Sequence, residues 1–165
     1  MEAQPALQQL MADPGFLLSR VGAAVRAGFK EVLAGWGLRP LQYLILLILD
    51  TASGSSQQEL CAAAGIDSGN MVELLDGLEA LGYAARARDP RDRRRYLVTI
   101  TGRGRTALGE LRQAVAEYNR GVLSPLTEAE RRLLAGTLGK LYAQAAGGQP
   151  PPPGREPAAG GAQRP

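Results

Sequence analysis

Histidine is absent from this 165-residue chain, and cysteine occurs once, as Cys61. Without histidine there is no Ser–His–Asp or His–carboxylate catalysis and no common histidine metal site. One thiol can build neither a disulfide framework nor a thiolate zinc centre, and it suits a reducing compartment, so a cytoplasmic protein is expected. Long apolar runs are missing too. The longest, Leu44 to Leu49, falls far short of the roughly 20 residues that span a bilayer. It reads instead as a buried helix, and no membrane partner is expected. The opening "MEAQPALQQLMADPG" has no basic region followed by an apolar one, so no secretory signal is expected. Phosphate-binding glycine loops are also lacking: Gly102 and Gly104 stand in "TGRGR" without the further glycine spacing or Lys-Ser/Thr that such loops need. An enzyme, a cofactor and a metal are therefore not expected.

Lysine is nearly missing, with 2 against 17 arginines. A GC-rich genome produces that bias with no functional meaning, so the information lies in where the arginines stand. Basic residues are absent from Ser55 to Gly82, which holds five acids: Glu59, Asp67, Glu73, Asp76 and Glu79. The stretch that follows, "RARDPRDRRRYLVTITGRGR" from Arg86 to Arg105, carries eight arginines and two aspartates, 8 − 2 = +6, in a chain whose net charge is only +3. Positive charge concentrated in this way calls for a negative partner.

The length and the 45% hydrophobic content suit one domain with a real core. Residues 147–165, "GGQPPPPGREPAAGGAQRP", have no periodic apolar positions and are expected to form a disordered tail, because they cannot bury enough surface to offset ordering entropy. Residues 1–12 are expected to be a flexible N-terminus. Between the ends the pattern predicts helices, then a hairpin, then helices. Leu17, Val21, Ala24, Val25, Gly28, Phe29, Val32 and Trp36 recur at helical spacing after Pro14, which suits a first turn. "GLRPLQYLILLILD" is apolar almost all round, as a central helix should be.

Ser56 and Glu59 form a Ser-x-x-Glu capping box for a short helix that ends at Gly65. Asp67 or Ser68 can cap a second helix with Met71, Leu74, Leu75, Leu78 and Leu81 on one face, ending at Gly82. Two short helices joined by a tight turn make a helix-turn-helix, or equally an α-hairpin packed in any core. "YAARAR" and "RYLVTI" then read as strands around the turn residues "DPRDR". Thr101 caps a long helix whose Leu108, Leu111, Val115, Tyr118 and Val122 make a heptad-like seam. Thr127 and Glu130 cap a last helix with Leu133, Leu134, Leu138 and Leu141 on its apolar face. The expected fold class is mainly α with a small β-hairpin wing (α+β), a winged helix-turn-helix.

The run "DPRDRRRYLVTITGRG" resembles the wing signature of the multiple-antibiotic-resistance regulator (MarR) family: Asp-Pro-x-Asp-Arg-Arg, a strand, then Thr-x-x-Gly. "LRPLQYLILLILDTASGSSQQELCAAAGID" is similar to that family's second and third helices, and the likeness runs from about Phe16 to Tyr142. It implies a MarR-like domain over 13–146, with a DNA-binding lobe at about 38–100 and dimerisation helices at about 14–36 and 102–146. It also implies a bacterial homodimeric repressor that leaves double-stranded DNA when a small molecule binds. The expected dimer residues are Leu17, Leu108, Leu111, Val115, Tyr118, Val122, Leu134, Leu138 and Leu141. The competing reading of the seam is packing within one chain. A two-fold dimer would set two recognition helices roughly 34 Å apart on a near-palindromic operator.

The DNA contacts expected on the wing are Arg88, Arg91, Arg93 and Arg95, because guanidinium groups suit phosphate and a narrow minor groove. By resemblance, Asp92 and Arg94 are the paired wing residues. On the acidic helix-turn-helix, Ser56, Gln57 and Gln58 are candidates for phosphate and Ser68, Asn70 and Val72 for base reading; Glu73 is counted with the DNA-facing positions, an acid at or near the place where many members of the family carry Arg or Lys. Asn can pair with adenine and Val can pack on a thymine methyl. In the family the effector sits between the two lobes, where Phe29, Trp36, Arg39 and Tyr43 fall. Three aromatics and a cation would suit an aromatic or phenolic acid. Two alternatives stay open: a winged-helix protein–protein module, favoured by the acidic helices, and a redox-sensing regulator using Cys61.

Overall fold

A computed structural model describes residues 9–89, 92 and 95–145. The C-terminal segment 147–165 and the wing residues Arg91, Arg93 and Arg94 lie outside the described residues. The elements, in order, are α1 (Pro14–Ala34), α2 (Pro40–Thr51), α3 (Gln57–Ala64), α4 (Ser68–Ala80), β1 (Ala84–Arg88), β2 (Tyr96–Ile100), α5 (Gly102–Val122) and α6 (Glu128–Ala145). Of the expected flexible N-terminus, residues 9–12 are helical and residues 1–8 lie outside the described residues. Among the described residues no helix is long and apolar enough to cross a membrane.

Asp13 starts α1: its carboxylate accepts from Phe16 N at 2.7 Å, and Pro14 fills the first turn, where its missing N–H costs nothing. The helix stops at Ala34, so Trp36 lies in the turn beyond it and not on the helix as its spacing suggests. The buried face is also narrower than the apolar pattern implies. Leu33 is fully buried, whereas Val21 and Ala24 are exposed. α2 is the central helix, as expected, packing on α1, α3, α4, α5 and β2. Its Ile45, Leu46 and Leu49 are inaccessible to solvent.

The helix-turn-helix forms for local reasons. Ser56 Oγ accepts from Glu59 N, while the Glu59 carboxylate accepts from Ser56 N at 2.7 Å, closing the capping box. Gly65 ends α3 at φ 66°, a left-handed cap that costs glycine nothing sterically. Asp67 then accepts from Asn70 N at 3.0 Å and starts α4. Met71, Leu74, Leu75 and Leu78 turn inward from α4 onto the core.

β1 and β2 pair antiparallel with Ala84 opposite Ile100 and Arg88 opposite Tyr96. Ser55, just before α3, exchanges two backbone hydrogen bonds with Val98, at 3.0 and 2.8 Å, which fixes the hairpin to the helix-turn-helix. The Thr-x-x-Gly of the wing signature now has a physical basis. Thr101 Oγ1 accepts from Gly104 N at 2.9 Å and donates to Gly82 O at 2.7 Å, while Thr101 N donates to Tyr83 O. At Gly104 the start of α5 presses so closely on the Tyr83 carbonyl that any Cβ would overlap it.

The heptad-like seam of α5 divides into two parts. Leu108 and Leu111 are fully buried in the chain's own core and have no surface to offer a second copy, which corrects their expected place in a dimer interface. Each contributes roughly 1.5–3 kcal/mol to the monomer fold. Tyr118 is also an intrachain residue: its hydroxyl donates to Val25 O of α1 at 2.9 Å, and its ring lies against Gly28. Val115 packs half-buried on the core, and Val122, further along, is exposed. α6 buries no residue at all.

Candidate nucleic-acid interface

The two faces of α4 differ in kind. The inward leucines hold it down, and Ser68, Gly69, Asn70, Val72, Glu73 and Asp76 face solvent. Asn70 and Glu73 stand one turn apart on this outer face, the spacing at which neighbouring side chains can read adjacent bases. The three expected base-reading residues, Ser68, Asn70 and Val72, are therefore accessible, and so is Glu73. The expected phosphate contacts at the start of α3 are partly committed elsewhere. Ser56 caps its own helix, Gln57 Nε2 donates to Ser68 O at 3.3 Å, and Gln58 is exposed. The Gln57 bond ties the start of α3 to the start of α4.

α2 grips the recognition helix from beneath. Gln42 is only 3% exposed; its Oε1 accepts from Arg39 N at 2.9 Å and its Nε2 donates to Leu74 O at 3.3 Å. A buried amide satisfied on both sides fixes relative position better than apolar packing does. Beside it the Arg39 guanidinium lies 3.0 Å from Glu73 Oε1.

The acidity of the helix-turn-helix is mostly answered inside the chain. Glu59 and Asp67 are helix caps, and Glu59 also faces Arg95 at 3.6 Å. The backbone hydrogen bond from Ser56, then its hydroxyl, and further down the charge of Arg95 hold the Glu59 carboxyl below its ordinary value. Glu73 pairs with Arg39. Asp76 and Glu79 share Arg86 on β1, and Arg86 N donates to Glu79 Oε1 at 2.8 Å. Burial works against the charge of Arg86, but the two carboxylates outweigh it and raise its pKa. Arg39, Arg86 and Arg95 thus screen four of the five acids, and the fifth, Asp67, is spent as a cap. A surface that looks repulsive to phosphate in the sequence is much less so when folded. This removes the main support for a protein–protein module.

On the wing, Arg88 stacks over Tyr96, 5.4 Å from its ring centre, and Asp92 and Arg95 are exposed. Among the described arginines of this stretch, Arg86 and Arg95 pair with acids of the helix-turn-helix. Neither spacing nor composition marks those pairings, since each joins residues on different elements.

The four residues expected around an effector are only partly brought together. Phe29 and Tyr43 meet edge to face, with ring centres 5.9 Å apart. Trp36 Nε1 donates to Glu110 Oε2 on α5 at 3.2 Å, and Arg39 turns to Glu73. Cys61 is half-buried, and burial first, then the charge of Asp67, pushes its thiol up in pKa. A protonated thiol is a poor nucleophile, which weighs against redox sensing there. Among the described residues no group of three or more His, Cys, Asp or Glu could hold a metal ion.

Comparison with known proteins agrees with this arrangement. Residues 36–95 match the model of the MarR family. The chain is 33% identical over 136 residues to the HTH-type transcriptional regulator TtmR of Methylorubrum extorquens, covering 78% of this chain and 69% of that one. It is 32% identical over 130 residues to the HTH-type transcriptional repressor Rv2887 of Mycobacterium tuberculosis, covering 79% and 94%. Among solved structures it is similar to the transcriptional repressor CouR bound to a 23-mer DNA duplex, at a TM-score of 0.70 and 31% identity over 81% of this chain and 94% of that one. CouR from Rhodococcus jostii bound to p-coumaroyl-CoA matches at a TM-score of 0.64 and 31% identity, covering 80% and 93%. With the helix-turn-helix, the hairpin and the Thr101–Gly104 junction in their places, the chain belongs to the MarR family and is a DNA-binding transcriptional regulator with a winged helix-turn-helix.

Proposed function

We propose that this regulator is a homodimeric repressor that grips a near-palindromic operator and lets go when a small aromatic acid binds. α4 enters the major groove, and the wing arginines, Arg91 and Arg93 foremost, follow phosphates into the adjacent minor groove. Asp92 and Arg94, by resemblance the paired wing residues, are expected to take part in the contact with DNA. The observation that carries the two-fold assembly is α6. It is helical over Glu128–Ala145 yet buries no side chain, and a helix with an apolar stripe and nothing to cover it is not stable alone. Leu134, Leu138, Leu141 and Tyr142 on α6, with Leu18 and Val21 on α1, are all exposed. A cleft of about 510 Å³ runs between Leu18 and Leu138, Leu141 and Tyr142. A second copy would cover this face, with Leu17 and Val122 at its margin.

The effector reading rests on Arg39 and on the Phe29–Tyr43 ring pair, with Trp36, turned to Glu110, as the remaining candidate. An aromatic carboxylate reaching Arg39 competes with Glu73 for the guanidinium, and a Glu73 left unpaired on α4 repels DNA phosphates. CouR, a repressor with an aromatic acyl thioester in one of its structures, supports an aromatic class of ligand. The test combines sedimentation with a mobility shift on duplex from the protein's own upstream region. A dimer that retards this DNA at low salt is expected, and Leu138→Asp should give a monomer that does not. A wild-type monomer at micromolar concentration, or a folded dimer that ignores the duplex, would overturn the proposal.

A further inference from the structure

The ion pair between Arg39 and Glu73 has a second face. Glu73 is on the outer side of α4, its side chain 69% exposed, and Arg39 reaches it from the start of α2 with 42% exposure. Unlike Glu59 and Asp67, Glu73 caps no helix, and unlike Asp76 and Glu79 it is not clamped by the wing. It stands one turn after Asn70, on the accessible face with Val72. The contact to Arg39 is made through Oε1 at 3.0 Å, and a carboxylate with about four lone-pair sites keeps acceptor capacity after one such pair.

A lone carboxylate on a recognition helix would be expelled by phosphate. One paired with a guanidinium, as Glu73 is with Arg39 at 3.0 Å, is repelled less. The only base edge in the major groove that presents a donor without an adjacent acceptor on the same base is the N4 amine of cytosine, the usual partner of a glutamate. The backbone beneath is held too, because Gln42 donates to the carbonyl of Leu74, the residue after Glu73.

We propose that Glu73 is a specificity-determining residue that accepts a hydrogen bond from cytosine N4 in each operator half-site, with Arg39 as its positioning residue. This rests on α4 entering the major groove. The chain would then read C·G with an acid, through a helix whose own acids are otherwise screened.

The test is enrichment of bound sequences from a randomised duplex pool, followed by competition binding at fixed salt. Both side chains are exposed, and Glu73→Gln is isosteric, so folding is retained. Wild-type protein should enrich cytosine at one position per half-site, with about a tenfold penalty for its replacement. Glu73→Gln should lose that preference and move it toward adenine, whose N6 and N7 suit an amide, with the other positions unchanged. Arg39→Ala should weaken the cytosine preference while Glu73 is intact, and Arg39→Lys should recover part of it. If Glu73→Gln enriches the same sequences as wild type and binds all of them more tightly, Glu73 is only a counterion for Arg39 and the proposal fails. If Arg39→Ala keeps the full preference, the positioning role fails. A wild-type protein that enriches no duplex overturns the DNA-docking reading itself, and this proposal with it.

Discussion

Replacing Gly104 by alanine should destabilise the protein, although the general rule for helix interiors says the opposite. Alanine is ordinarily favoured over glycine in a helix by about 1 kcal/mol. At Gly104 the new Cβ would overlap the Tyr83 carbonyl and crowd Ile100 Cγ1 at 2.9 Å. The obstacle is backbone, so it cannot swing aside. Tyr83 O also accepts from Thr101 N at 3.0 Å, and pushing it away loosens the closing bond between hairpin and helix. Overpacking of this kind costs about 1–3 kcal/mol, and an impaired buried backbone hydrogen bond about 1–3 more. Less the propensity gain, the net loss is roughly 1–5 kcal/mol. Gly109 is the internal control: it lies on the same helix with nothing within 4 Å of its Cβ position, so Gly109→Ala should stabilise by up to about 1 kcal/mol. Urea unfolding followed by circular dichroism, at one fixed protein concentration because association shifts apparent stability, measures both. If Gly104→Ala proves as stable as wild type or follows Gly109→Ala upward, the close approach inferred for the Thr-x-x-Gly junction is wrong.

Three further outcomes are expected. Replacing Arg91 and Arg93 by alanine should cost far more affinity than Asn70→Ala and should flatten the plot of log K against log salt by about 0.9 for each phosphate no longer neutralised; near-equal losses would refute a wing-dominated affinity. Arg86→Ala should cost about 1–2 kcal/mol in unfolding assays by stranding Asp76 and Glu79, and Arg86→Lys should restore only part, because a compact ammonium serves two carboxylates less well. The Glu59 and Glu130 carboxyls are both held below the ordinary 4.5, Glu59 by Ser56 and Glu130 by the hydroxyl and then the amide of Thr127. The folded state therefore binds fewer protons than the unfolded one, and this stability is present above about pH 4.5 and lost as pH falls below it. Glu130→Gln should make the acid limb of a stability–pH curve shallower, and an unchanged limb would remove the capping box from the account.

What the sequence discloses follows the range of the interactions. Caps and turns are written in three or four consecutive residues, and they stand where Ser56-x-x-Glu59, Gly65, Asp67, Thr101 and Thr127-x-x-Glu130 place them. Asp13 before Pro14 carries the same signal for α1. Apolar periodicity identifies a face but not what covers it. Leu108 and Leu138 look alike in their repeats, yet one is fully buried by its own chain and the other lies 38% exposed. The cross-element pairings are the least legible. Nothing around Arg39, Gln42 or Arg86 names Glu73, Leu74 or Glu79 as a partner, because the fold and not the spacing brings them together.

These unwritten pairings also decide how charge is shared between affinity and recognition. A net +6 from Arg86 to Arg105 suggests a wing wholly devoted to phosphate, but Arg86 and the still exposed Arg95 pair with acids of α3 and α4. The cost is two fewer cations for the backbone of the duplex. The gain is a helix-turn-helix whose acids repel a duplex less. Phosphate contacts add affinity at every sequence alike, whereas contacts to base edges separate one sequence from another. A chain that spends arginines of the wing on screening the acids of its helix-turn-helix gives up non-specific binding first. It should therefore depend on its operator more, and on general attraction to DNA less, than its arginine total implies.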